Sequence, residues 1–215
     1  MFDYILFDLD GTITDPFEGI SRCVIHALDS FGIKVKDPHE LVCFIGPPLF
    51  DQFKAYCGFT DTQAEQAVKK YRERYSETGW KECTLVDGTK QLLQQLKAAG
   101  KTLAVATSKP ECFAVPILRH FEIDKYFTFI GGAELEHSGR NTKEAVIEYV
   151  LQNLNVTDRS RAVIVGDRYH DIEGAKKTSI RSIGVLTGYG SREELEAHQA
   201  DYIAENMTDV LKFLL

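Results

Sequence analysis

The chain has 215 residues, 44% hydrophobic and 27% charged, with 25 Lys and Arg against 32 Asp and Glu and a formal net charge of -7. That size and balance describe an ordinary globular protein that buries about 70% of its unfolded surface in one large domain, or in one domain with a small insert. The acidic excess argues against nonspecific binding to nucleic acid or to an anionic membrane, so an anionic ligand must be held by local groups.

The first element is a strand over Tyr4 to Leu9, inside the stretch YILFDLDGTITD. It ends on two carboxylates, Asp8 and Asp10, separated by Leu9. In extended backbone both point the same way, where each raises the other's cost of ionisation. A metal ion is the simplest neutraliser. Residues 16 to about 82 then read as an all-helical insert. Ile20, Val24, Ala27, Leu28 and Phe31 recur at helical spacing before Gly32, and Ala64, Ala67, Val68, Tyr71 and Tyr75 follow a Thr62-x-x-Glu65 capping box. Between them, Phe44-Ile45-Gly46-Pro47-Pro48 makes a rigid bend, at minimum a helix-helix corner. The expected division is a core of residues 1–15 and 83–215 and an insert of residues 16–82.

From about residue 86 strands and helices alternate. Thr102 to Thr107, Phe127 to Ile130, Ala162 to Gly166 and Ser182 to Leu186 are short apolar runs without polar alternation, as a sheet covered on both faces requires. Leu92, Leu93, Leu96 and Ala99, stopped by Gly100, and Ala145, Val146, Tyr149 and Val150 mark helices between them. The fold class is therefore α/β, a doubly wound parallel sheet with a helical insert. Five cysteines without a C-x-x-C pair read as free thiols in a reducing compartment. No apolar run approaches the ~18 residues of a membrane span and no secretory leader is evident, so a cytoplasmic location is expected.

Ligands of such a sheet bind beyond the carboxyl ends of its strands. Those ends carry Asp8, Asp10, Gly11 and Thr12; then Thr107, Ser108 and Lys109; then Asp167 and Asp171; Lys143 stands near a helix start. Carboxylates without histidine or thiolate suit a hard cation, and Mg²⁺ better than Ca²⁺ where waters and a phosphate complete the shell. The Thr107 hydroxyl, N-H groups of a Gly-containing turn and the Lys143 ammonium would cradle a phosphate. A lysine in a first helical turn opposes the helix dipole, which hints at an anion nearby. Arg140, three residues earlier on the same helical face, competes with Lys143 for that role. Lys109-Pro110 reads as a helix entry or, less simply, a substrate contact. Gly188-Tyr-Gly190 lacks the third glycine of a dinucleotide site.

The set Asp8-Leu9-Asp10-Gly11-Thr12, Thr107-Ser108, Lys143 and Gly166-Asp167-Arg168-Tyr169-His170-Asp171 resembles, in order, the four motifs of the haloacid dehalogenase superfamily. The resemblance spans the chain, and the insert resembles the cap domain of the branch holding phosphoglycolate phosphatase, β-phosphoglucomutase and 5'-nucleotidase-like members. It implies a Rossmann-like core and a phosphatase acting on a small phosphomonoester. Asp8 would be the nucleophile, and Asp10 the acid and then base. Asp8, the Asp10 main-chain carbonyl and Asp167 would hold Mg²⁺, with Asp171 behind them. Lys143, Thr107 and the N-H groups of Leu9, Asp10 and Ser108 would bind the phosphoryl oxygens. Ile45 and Gly46 would line the substrate entrance. Glu144 stands where this branch often has proline. A phosphomutase would need the same core; a receiver-like phospho-switch is a different alternative, against which the helical insert and Asp10 speak; oligomeric state is not legible.

Overall fold

The structure, a computed structural model, describes residues 2–135 and 139–215. The chain forms two compact units, one of Met1–Asp15 and Leu85–Leu215 and one of Pro16–Thr84. It starts with β1 (Tyr4–Phe7) and the two-residue β2 (Thr14–Asp15), then enters the helical unit.

That unit contains α1 (Phe17–Asp29), a 3-10 helix over Pro38–Phe44, α2 (Leu49–Cys57) and α3 (Asp61–Glu77). Of the expected apolar positions, Ile20, Val24, Ala27 and Leu28 of α1 and Ala64, Ala67, Tyr71 and Tyr75 of α3 are buried, while Val68 of α3 and Phe31, beyond the end of α1, are half-buried. The capping box falls two residues earlier than expected. Thr60 is the N-cap, its hydroxyl accepting from Gln63 N while the Gln63 side chain accepts from Thr60 N. Both registers satisfy the S/T-x-x-E/Q pattern. Phe59, buried just before Thr60, supplies the apolar residue that commonly precedes an N-cap and selects the earlier one. Arg74 donates through both terminal nitrogens to Glu82, at 2.6 and 2.9 Å, closing the unit near its end.

The chain returns through β3 (Thr84–Leu85), which pairs with β2, and continues with α4 (Thr89–Ala98), β4 (Thr102–Pro110), α5 (Glu111–His120), β5 (Phe129–Ala133) and α6 (Lys143–Asn153). Then follow β6 (Ala162–Gly166), α7 (Tyr169–Lys177), β7 (Arg181–Val185), α8 (Arg192–Ala197), β8 (Tyr202–Ala204) and α9 (Met207–Leu214). Six strands pair in the order β5-β4-β1-β6-β7-β8, every pairing parallel. Strand order reverses around β1, so the ends of β1, β4 and β6 lie side by side at the switch point where such sheets bind ligands.

The first strand stops at Phe7 and not at Leu9, and β8, three residues at the sheet's edge, was not among the expected strands. The central strands are buried on both faces, β6 along its whole length. On one face Leu6, Ala104, Ala106, Ala162 and Ile164 pack with Val146, Ile147, Val150 and Ala175 of α6 and α7. Leu6 is fully buried on the middle strand. Leu6→Ala is expected to cost about 2–5 kcal/mol, read as a lower urea midpoint at an unchanged denaturant slope.

Candidate active site

Asp8 follows directly on β1, and its N-H donates to Val165 O at 2.9 Å, holding it beside β6. The chain then wraps tightly: the N-H groups of Thr12, Ile13 and Thr14 all donate to Leu9 O, at 3.2, 2.9 and 2.9 Å. Gly11 makes the turn possible, with φ +81°, and a Cβ there would overlap the Asp167 carboxylate. Asp8 and Asp10 are thus parts of a turn and not two residues on one face of a strand. Their partners differ. Asp8 Oδ1 accepts from Leu9 N at 2.8 Å and lies 2.9 Å from Lys143 Nζ. Asp10 Oδ2 pairs with the Lys109 ammonium, and its Oδ1 is buried without a hydrogen-bond partner among the described residues. The Leu9 N-H, expected to reach a phosphoryl oxygen, instead serves the Asp8 carboxylate here.

Lys143 is the first residue of α6, whose N-cap Thr142 accepts from Ala145 N at 3.2 Å. Its buried ammonium stands between Asp8 and Asp171, 2.7 Å from Asp171 Oδ1, and donates to Ala106 O at 3.1 Å. Burial alone would lower the pKa of Lys143, but the Asp171 and Asp8 carboxylates outweigh it and raise the pKa above the ordinary lysine value. Arg140 is placed elsewhere: it donates to Gly132 O at 2.6 Å, meets Glu111 at 3.3 Å and stacks on Tyr149 with 3.7 Å to the ring centroid. Between the two cations weighed from the sequence, Lys143 is the one beside the carboxylates.

Asp167, just past β6, accepts from Tyr189 N at 2.8 Å and from the Thr12 hydroxyl at 3.4 Å. Asp171 lies in the first turn of α7 and accepts from Arg168 N at 3.2 Å. Asp8, Asp167 and Asp171 each offer an oxygen within 4.8 Å of the others, all three buried. Burial first, then the Asp171 and Asp8 carboxylates, push the Asp167 carboxyl up to about 8; burial also raises Asp171, against the pull of Lys143. Three buried acids against one ammonium leave negative charge uncompensated, and oxygen-only donors at this spacing fit a divalent cation. Asp171 is one of the three acids gathered in this cluster.

Thr107 is buried near the end of β4 and its Oγ accepts from Lys109 N at 3.2 Å, which leaves the hydroxyl proton to be donated. Ser108 beside it is half-buried. Ile45, buried, and Gly46, with φ +103°, belong to the helical unit at the end of its 3-10 helix. The sequence reading missed the contacts of Lys109 with Asp10 and of Tyr189 with Asp167. A lysine closing an apolar strand was a signal for the first; nothing local announced the second.

The family model for haloacid dehalogenase-like hydrolases matches residues 5–185. A 5'-nucleotidase of Pseudomonas aeruginosa is 43% identical over 210 residues, 98% of this chain and 94% of that protein. The tyrosine-protein kinase PtkA of Mycobacterium tuberculosis is 40% identical over 207 residues, 96% of this chain and 67% of that protein. The crystal structure of a predicted phosphatase from Clostridium acetobutylicum superposes with a TM-score of 0.93 at 41% identity, covering 100% of this chain and 98% of that one. With the family model spanning most of the sheet and both carboxylate-bearing turns, the chain belongs to the haloacid dehalogenase-like hydrolases and is a phosphatase of that family.

Proposed function

We propose that the chain is a Mg²⁺-dependent phosphomonoester hydrolase that works through an aspartyl-phosphate on Asp8. The observation that carries this reading is the meeting of Asp8 with Lys143, Asp167 and Asp171 at the sheet's carboxyl edge, while Asp10 is held separately by Lys109. Asp8 is the nucleophile because its carboxylate sits beside an ammonium that would also neutralise an approaching phosphoryl oxygen. Its oxygen bonds to phosphorus as the ester P-O bond breaks, and the electron pair leaves on the alcohol oxygen. Asp10 supplies the proton to that oxygen. Burial raises its pKa against the opposing pull of Lys109, which suits a carboxyl that must carry a proton before turnover. A water then attacks the acyl phosphate, Asp10 takes its proton, and Asp8 is released with phosphate. The Thr107 O-H and main-chain N-H groups of Asp10 and Ser108 orient the phosphoryl oxygens. Bound Mg²⁺ would be held by Asp8, the Asp10 carbonyl and Asp167, with Asp171 adjoining, and would supply charge neutralisation of the phosphate.

The substrate proposed first is a nucleoside 5'-monophosphate, because the 43% identical relative bears the name 5'-nucleotidase. Selectivity among monoesters is assigned to the helical unit, Ile45 and Gly46 included, since the core groups address only the phosphoryl group. A panel of nucleoside, sugar and glycolate phosphates with phosphate release as readout tests this; isomerised sugar phosphate or a phosphorylated acceptor in place of free phosphate would contradict hydrolysis.

Asp8→Asn is expected to lower turnover by at least about 10³-fold with the fold retained, checked with p-nitrophenyl phosphate and circular dichroism. Asp10→Asn is expected to slow hydrolysis by about 10²–10⁴-fold, with the acid-stable phosphoenzyme persisting in rapid-quench samples. Mg²⁺ added to chelated protein is expected to raise the melting temperature. The rise should be larger at pH 8 than at pH 6, because Asp167, with its pKa pushed up to about 8, holds a proton at the lower pH that competes with the cation.

A further inference from the structure

Two buried cations serve this site, and only one has been assigned work. Lys143 meets Asp8 and Asp171; Lys109 meets Asp10. Both ammoniums are nearly removed from solvent, the Lys143 side chain 5% exposed and that of Lys109 6%. We propose that Lys109 is a positioning residue for the proton-transfer step: it fixes Asp10 through Oδ2 so that Oδ1 is the oxygen that gives and takes the proton. The inference rests on the acid and base role of Asp10 given above.

Local geometry is built to aim this lysine. Pairing of β4 with β5 runs in register to Thr107 and Gly132, then shifts so that Pro110 meets Ala133, leaving Ser108 and Lys109 as extra residues. Such a bulge re-aims a side chain at a strand end. Pro110 keeps Lys109 out of helical backbone, and the Lys109 N-H donates to the Thr107 hydroxyl. The outer side of the bulge is buttressed. A Cβ on Gly132 would lie 2.6 Å from Lys109 O and 2.7 Å from Glu111 backbone, so only glycine lets β5 approach this closely. Glu111 accepts from Gly132 N at 3.2 Å, and Arg140 ties Gly132 O to the same Glu111. A lysine that only reached for a substrate anion would need none of this rigidity.

The arrangement at Asp10 also fits the role. A carboxyl that must transfer a proton needs one oxygen held and the other uncommitted. Oδ2 is held by Lys109, and Oδ1 is buried without a hydrogen-bond partner among the described residues. In the first step the P-O bond breaks with its electron pair on the alcohol oxygen, and the proton on Oδ1 moves to that oxygen. In the second, the same oxygen takes a proton from the attacking water. Displacement of the carboxyl by about 1 Å would misdirect both transfers.

Leaving groups separate this role from others. p-Nitrophenolate departs with little need of a proton, whereas an alkoxide departs poorly without one. Lys109→Met is expected to lower kcat/KM about 10²-fold for 2-glycerophosphate and by under about 10-fold for p-nitrophenyl phosphate. Lys109→Gln, which keeps an N-H donor for Oδ2, is expected to recover part of the alkyl-ester activity, and melting curves of both variants identify any loss of fold. In an Asp10→Ala background, Lys109→Met is expected to add less than about a 3-fold further loss, as for a residue that works through another. Equal losses on both esters, a change confined to KM, or an undiminished effect in the Asp10→Ala background would overturn the proposal. Wild-type alkyl-ester hydrolysis by Asp10→Ala alone would instead remove the acid and base role on which it rests.

Discussion

Asp8, Asp167 and Asp171 hold three buried carboxylates with an oxygen of each inside a 4.8 Å span. In a low-dielectric interior that is a large electrostatic debt, and a single ammonium from Lys143 covers only part of it. The two turns that carry the acids answer the same constraint. The Leu9 N-H donates to the Asp8 carboxylate, and the Thr12 hydroxyl and the Tyr189 N-H donate to Asp167. Each neutral donor lowers the cost of a charge without cancelling it. What remains is charge for a cation and, beyond it, for a substrate whose phosphorus is electrophilic enough to sit among acids.

Parallel sheet topology explains why these acids come from sequence positions more than 150 residues apart, as with the Thr12 to Asp167 contact at a separation of 155. β1 lies between β4 and β6, so three strand ends that are remote in the chain become neighbours in space. The apolar packing on Leu6, Ala104 and Ile164 fixes their register, and register fixes which residues emerge at the edge. Core packing and charge placement are therefore coupled: Phe7 pairs with Val105 and Val165 in register, and Asp8 is simply the next residue.

The central strands were legible in the sequence because burial on both faces demands near-continuous apolar runs, and runs such as Ala162 to Gly166 satisfy nothing else of that length. β8 was not legible, since three residues at a sheet edge, with Tyr202 exposed, carry no such demand. The start of α3 was ambiguous for a different reason. Thr60 and Thr62 each stand three residues before a glutamine or glutamate, and only the burial of Phe59 separates them. In the site, Asp8, Asp10, Lys143 and Asp167 could be singled out by chemical type, but the partner of each could not. That Lys109 would meet Asp10 and Arg140 would turn to Glu111 depends on a β-bulge, a feature set by the facing strand and not by local residues.

The same separation of tasks bears on specificity. In the proposed mechanism Lys143, Thr107 and the three acids address only phosphorus, its oxygens and a cation, and Asp10 the oxygen of the departing group. None of these atoms distinguishes a nucleoside from a sugar or a carboxylic acid further along the ester. Discrimination must come from groups that the phosphate-facing edge lacks, and it can vary without disturbing the carboxylate cluster or the strands behind it. An insert placed between β2 and β3 is free to change in this way, because neither of those two-residue strands belongs to the six-stranded sheet that sets the register of the acids.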